Sequence, residues 1–112
     1  MENTISLRPI RSGDHVAVQN MFVEFNASAF GKYDPIEQTD ETSVIGFLEN
    51  MVQHHVIYAV TPTGSDEMIG YICFHIAGNE YDLGYMIAAR HRGAGIATAA
   101  SRMAMDLVHR VY

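Results

Sequence analysis

Apolar residues recur along this chain with two periods, and the switches between them mark its elements. Ile5 and Leu7 alternate with polar neighbours, so Ile5–Pro9 is predicted as a short strand. Ser12, Gly13 and Asp14 then offer helix N-cap residues. Val18, Met21, Phe22 and Phe25 follow at i, i+3, i+4, i+7 and predict an amphipathic helix of about three turns. Asn26–Thr39 is polar, is broken by Gly31 and Pro35, and reads as a loop. Thr39 or Asp40 can cap a second helix, Glu41–His54, with Val44, Phe47, Leu48, Met51 and Val52 as its apolar stripe. Gly46 lies within that helix at a cost of about 1 kcal/mol relative to alanine, which close packing would justify.

The period then shortens to two. Val56–Thr61 and Glu67–Ile76 read as strands joined by the turn Pro62–Asp66. After Ala77-Gly78-Asn79 the chain turns again, so the strand running from Glu80 through Tyr81–Ala88 should pair antiparallel with the one before it. Gly84 in its middle signals a bulge or a close backbone approach. Residues 56–88 therefore form a meander. A final helix begins near Gly95 and runs over Ile96–Val111, its stripe being Ile96, Ala100, Met103, Leu107 and Val111. Asp106 and Arg110 stand at i, i+4 in the favourable order.

Between the last strand and the last helix lies Arg92-Gly93-Ala94-Gly95-Ile96-Ala97-Thr98. Glycines permit a tight turn and close approach to a ligand. The first helical turn has N–H groups without intrahelical partners, and the helix dipole adds positive potential there. Residues 92–98 are thus suited to an anion such as a phosphate or pyrophosphate. No Gly-Lys-Ser/Thr follows, so this is not a P-loop. Thr98 stands where a dinucleotide fingerprint needs glycine or alanine, and the chain leaves no room for the acidic ribose-binding residue.

Composition narrows the field further. A chain of 112 residues, 48% hydrophobic, is one domain with enough apolar content for a core. A net charge of −6 argues against non-specific nucleic-acid binding. No apolar run approaches the roughly 18 residues of a membrane span, and the N-terminus lacks a signal-peptide pattern. Cys73 is the sole cysteine, which suits a reducing cytoplasm, and it reads as a buried, inert thiol. Six histidines show no metal-ligand spacing with Cys, Asp or Glu, and adjacent His54 and His55 point apart, so no metal is expected. Met21, Met51, Met103 and Met105 sit at helical spacing and read as core filling.

The segment from Asp82-Leu83-Gly84-Tyr85 through Arg92-Gly93-Ala94-Gly95-Ile96-Ala97 resembles the acetyl-CoA-binding segment of the GNAT family of N-acetyltransferases. It looks most like the ribosomal-protein N-terminal acetyltransferase branch. Arg92, Gly95 and Ala97 occupy the defined positions of the family signature Gln/Arg-x-x-Gly-x-Gly/Ala; Arg90, Gly93 and Gly95 match it two residues earlier. The opening Leu7-Arg8-Pro9-Ile10-Arg11-Ser12-Gly13-Asp14 is also similar to the family's start.

The resemblance implies an α/β (α+β) acyl-CoA N-acyltransferase fold, of which this chain holds the N-terminal portion in the order β-α-α-β-β-β-α. It implies acetyl-CoA as cosubstrate and an amine acceptor, either a protein N-terminus or a small amine. Arg92, Gly93, Ala94, Gly95, Ile96, Ala97 and Thr98 would hold the pyrophosphate. Met86 and Ile87 would offer backbone groups to the pantetheine arm where the strand splays. Glu80 and Asp82 are candidate catalytic carboxylates, or else solvated strand residues. His91 would be an ordinary loop residue. Phe30, Tyr33 and Asp34 would shape the acceptor site, or simply anchor their loop. The family continues with further strands, so a C-terminally truncated domain is expected, with an open strand edge that favours a homodimer or other self-association. A non-catalytic CoA-binding module, or an inactive fragment of a longer acetyltransferase, is the alternative.

Overall fold

The structure, a computed structural model, describes residues 5–28, 31, 36, 39–77, 80–91 and 95–111, with the backbone alone at 76, 77, 80–82 and 111. The elements run β1 (Ile5–Pro9), α1 (His15–Ala27), α2 (Glu41–His54), β2 (Val56–Pro62), β3 (Gly70–Ala77), β4 (Glu80–Ile87), a 3-10 turn η1 (Ala89–His91) and α3 (Ile96–Val111). The order β-α-α-β-β-β-α is the expected one. The strands form one antiparallel sheet in sequence order, β1-β2-β3-β4.

Alternation along the strands divides the core into two layers. On one face Ile57, Ala59 and Tyr71 meet Val18, Met21 and Phe22 of α1 and Val44 and Leu48 of α2. Phe47 stands between Phe22 and Tyr71, with ring centroids 5.4 and 6.1 Å away. On the other face Ile5, Val60, Ile72 and Phe74 meet Ala100, Ala104 and Val108 of α3.

Several positions differ from the periodic reading. The buried line of α3 is Ala100, Ala104 and Val108, while Met103 and Leu107 are only half-buried. Small residues sit where the helix lies closest to the sheet, whereas a hydrophobicity count favours the large ones beside them. The side chain of Val111 lies outside the described residues. Met105 is 37% exposed and is not core. Val52 is 55% exposed and lines a groove of about 400 Å³ with Ile10, Ile45 and Leu48, because nothing covers the last turn of α2 among the described residues. Close packing does not explain Gly46 either: a Cβ there would meet no atom within 4 Å.

Asp40 caps α2 by accepting from the Ser43 N–H at 3.0 Å. Asp14 occupies the N-cap position of α1 but its side chain does not cap the helix. Its carboxylate instead accepts from Arg8 Nη1 and Nη2 at 2.9 and 2.8 Å and from the Arg11 N–H at 2.7 Å. β3 begins at Gly70, not Glu67, because the turn persists: the Ser65 hydroxyl accepts from the Glu67 N–H at 3.1 Å. Gly84 marks no bulge, since the β3–β4 register runs unbroken from Gly70↔Ile87 to Ala77↔Glu80. It is instead a close approach, where an added Cβ would lie 3.1 Å from Cys73 Sγ. Cys73 is half-buried, and burial raises its thiol above the ordinary value. The turn residues Gly78 and Asn79 lie outside the described residues.

Candidate active site at the end of β4

The last turn of β4 is held against β3 by a contact that only glycine permits. A Cβ on Gly70 would lie 2.6 Å from both the Met86 carbonyl oxygen and Ile87 Cδ1. Met86 and Ile87 are paired with Tyr71 and Gly70, with Met86 half-buried and Ile87 buried. Beyond them the Ala88 N–H donates to the Ile69 carbonyl at 2.8 Å, and the Ile69 N–H to the Val60 carbonyl at 2.8 Å. This fixes one edge of β4. Among the described residues no strand lies along its other edge, where Leu83 and Tyr85 are 42% and 55% exposed.

The chain then turns through η1 toward α3. The Ala89 N–H donates to Glu24 Oε1 of α1 at 3.2 Å. Arg90 forms an ion pair with Glu67, and its Nε donates to His91 Nε2 at 3.1 Å. Arg92, Gly93 and Ala94 lie outside the described residues. Gly95 follows with φ +75°, a left-handed conformation suited to glycine, and open space where a Cβ would be. Its carbonyl accepts from the Ala99 N–H at 3.0 Å, so α3 starts directly after it. The N–H groups of Ile96, Ala97 and Thr98 are those of a first helical turn, which have no acceptor within the helix. Ile96 packs against the core, while Thr98 is exposed.

Glu80 and Asp82 stand at the opposite end of β4, opposite Ala77 and His75. Asp82 is four residues from Met86 along the strand, about 14 Å at a rise near 3.4 Å per residue. Their side chains lie outside the described residues. Glu24, which spacing did not single out, is the carboxylate in contact with the β4–η1 junction. It lines a pocket of about 640 Å³ with Ala17, Asn20, Met68, Ala88 and Arg90. Elsewhere in the pocket wall the charges are paired, Arg8 with Asp14 and Arg90 with Glu67, and Arg11 reaches Asp66 at 3.2 Å.

The acceptor-loop residues Phe30, Tyr33 and Asp34 lie outside the described residues. The loop is nonetheless tied to α1: Asn26 Nδ2 donates to the Ile36 carbonyl and its Oδ1 accepts from the Ile36 N–H, both at 2.8 Å. Among the described residues no three or more metal-ligating side chains converge, and no helix is long and apolar enough to cross a membrane.

A left-handed glycine thus precedes α3, next to a strand along one edge of which no other strand lies among the described residues. The chain matches the Acetyltransferase (GNAT) domain family over residues 4–111, and it belongs to that family. No curated protein matches it in sequence. Among solved structures it is similar to the ribosomal-protein-S5-alanine acetyltransferase from Vibrio fischeri, at TM-score 0.68 and 17% identity over 98% of this chain and 66% of that one. It is also similar to an N-acetyltransferase from Staphylococcus aureus Mu50, at TM-score 0.69 and 17% identity over 98% and 70%. An acetyltransferase from Agrobacterium tumefaciens gives TM-score 0.60 and 24% identity over 86% and 57%. The chain thus spans between 57% and 70% of these relatives' lengths, and the likeness is one of fold.

Proposed function

We propose that the protein transfers an acetyl group from acetyl-CoA to an amine, a protein N-terminus or a small amine. The observation that carries this reading is Gly95, left-handed and uncovered at the start of α3, just past β4. Residues 92–98 bind the pyrophosphate through backbone N–H groups and the helix dipole. Arg92 is the basic member of that loop; Arg90, the other candidate, is paired with Glu67. Met86 and Ile87, at the end of β4, are the residues beside which the pantetheine arm lies.

In the reaction the neutral amine nitrogen bonds to the thioester carbonyl carbon, the C–S bond breaks, and the thiolate takes up the proton that the nitrogen sheds after attack, so that CoA leaves as its thiol. The amine must lose a proton to attack. Glu24 is placed to accept it, directly or through water, because its carboxylate reaches the junction where β4 ends. Glu80 and Asp82 remain candidates for the same role.

Because the chain spans about two thirds of the Vibrio fischeri enzyme's length, a second reading stands beside the first: a CoA-binding module without transfer activity. The 112-residue chain would then bind CoA and turn over no amine. Its lone thiol, half-buried at Cys73, suits a reducing cytoplasmic setting.

Calorimetry of CoA with Gly95→Asn and Gly95→Asp tests the cradle. Asparagine and aspartate are nearly isosteric, and both tolerate the left-handed conformation better than other side chains. The Asp variant adds only a negative charge, and should bind CoA at least about tenfold more weakly than the Asn variant by like-charge repulsion. Equal affinities in the two variants would remove the phosphate cradle from this loop.

A further inference from the structure

The β2–β3 register places Val56 opposite Phe74, and carried one step outward it sets His55 opposite His75. The two rings meet there, Nδ1 to Nδ1 at 2.9 Å, with centroids 4.8 Å apart and planes at 53°. We propose that His55 and His75 form a binding site for a divalent transition-metal ion, coordinated by both Nδ1 atoms and completed by water.

The separation suits this chemistry. With metal–nitrogen bonds of about 2.0–2.1 Å, two nitrogens 2.9 Å apart subtend about 90° at the metal. That is the angle between neighbouring ligands in square-planar or octahedral geometry, so the separation suits nickel or copper once each ring turns its Nδ1 lone pair from the other nitrogen toward the ion. A tetrahedral zinc ion needs the nitrogens about 0.4 Å further apart. In the metal-free pair one Nδ1 donates to the other. On metal binding the donor ring carries its proton on Nε2 instead, both rings stay neutral and no redox partner is involved.

The backbones that present the rings are fixed. His55 is the C-cap of α2, and its N–H donates to the Met51 carbonyl at 2.9 Å. His75 follows the fully buried Phe74 in β3. Both rings therefore project from rigid elements, which lowers the ordering cost of binding. The C-terminal end of α2 also adds negative potential favourable to a cation. A pocket of about 210 Å³, lined by Gln53, His54, His55, Val56 and Phe74, leaves room beside the pair for water ligands.

The test is titration of the untagged protein with nickel chloride, by calorimetry and by thermal melting. We expect saturable binding of one ion per chain and a rise in Tm with nickel concentration. His55→Ala and His75→Ala should each weaken binding at least tenfold and abolish the Tm rise. Both side chains are at the surface, so neither variant should fail to fold. His109→Ala, altering an exposed histidine on α3, should bind as the wild type does. Absence of saturable binding, or unchanged binding in His75→Ala, or equal loss in His109→Ala, would overturn the assignment.

Discussion

Glu24 accepts a hydrogen bond from the backbone N–H of Ala89 at 3.2 Å, joining α1 to the point where β4 gives way to η1. The bond steadies the junction and holds a carboxylate beside it. Glu24→Gln separates these roles, since an amide oxygen still accepts from Ala89 but cannot take a proton. Turnover should fall by about 10²-fold or more while the KM for acetyl-CoA stays nearly unchanged. Glu24→Ala should raise that KM as well. Full turnover in Glu24→Gln, with a loss in Asp82→Asn or Glu80→Gln, would move the base to β4.

Arg8 and Asp14 form a bidentate ion pair, 11% and 8% exposed, that fastens the start of α1 to β1. Burial pushes the Asp14 carboxyl up, but the Arg8 hydrogen bonds, the Arg11 N–H and the charges of both arginines outweigh it, and the net shift is downward. The pair's stabilisation is therefore complete above the unfolded-state carboxyl value of about 3.9 and is lost as pH falls through the lower folded value. Asp14→Asn should destabilise by roughly 3 kcal/mol at neutral pH, and by progressively less as the pH falls below about 3.9. Chemical denaturation over a descending series of pH values measures this; a loss that stays constant to the lowest pH at which the protein folds would mean that the carboxylate charge is not what matters.

Gly46 is exposed in mid-helix with nothing within 4 Å of a would-be Cβ and no positive φ. Alanine there restricts the unfolded chain without meeting a neighbour. Gly46→Ala should stabilise the protein by about 0.5–1 kcal/mol. A fall in the denaturation midpoint would mean that a side chain at this position does meet a neighbour.

The elements were legible because each has a clean period and a clear stop. Val18, Met21 and Phe22 fixed one face of α1, and all three are buried. Asp40 was readable as a cap because its carboxylate needs only the N–H three residues on. Contacts between distant segments were not legible. Glu24 meets Ala89 across 65 positions, and His55 meets His75 only once the sheet register is set. Side-chain size misled in α3, where Ala100 and Ala104, rather than Leu107, lie against the sheet. Asp14 had the right position for a cap, but a cationic partner on β1 offers its carboxylate stronger bonds than the first-turn N–H groups do.

The free edge of β4 gives the last prediction. Leu83 and Tyr85 stand opposite Phe74 and Ile72, which are fully buried under α3, yet they are themselves largely open to solvent. The strand is eight residues long and carries no proline, so its outer edge is a template for another strand. We propose that the 112-residue chain self-associates by pairing β4 with β4 of a second copy, covering both apolar side chains. Lysine at both positions would place two charges on each copy in that contact and favour the separate chains. Sedimentation velocity at micromolar concentration should show a dimer or larger species for the wild type, and a monomer for Leu83→Lys/Tyr85→Lys with an unchanged circular dichroism spectrum. A monomeric wild type would show that the edge is protected without a partner. A dimer that survives the double substitution would place the contact elsewhere, for instance on the outer face of α3.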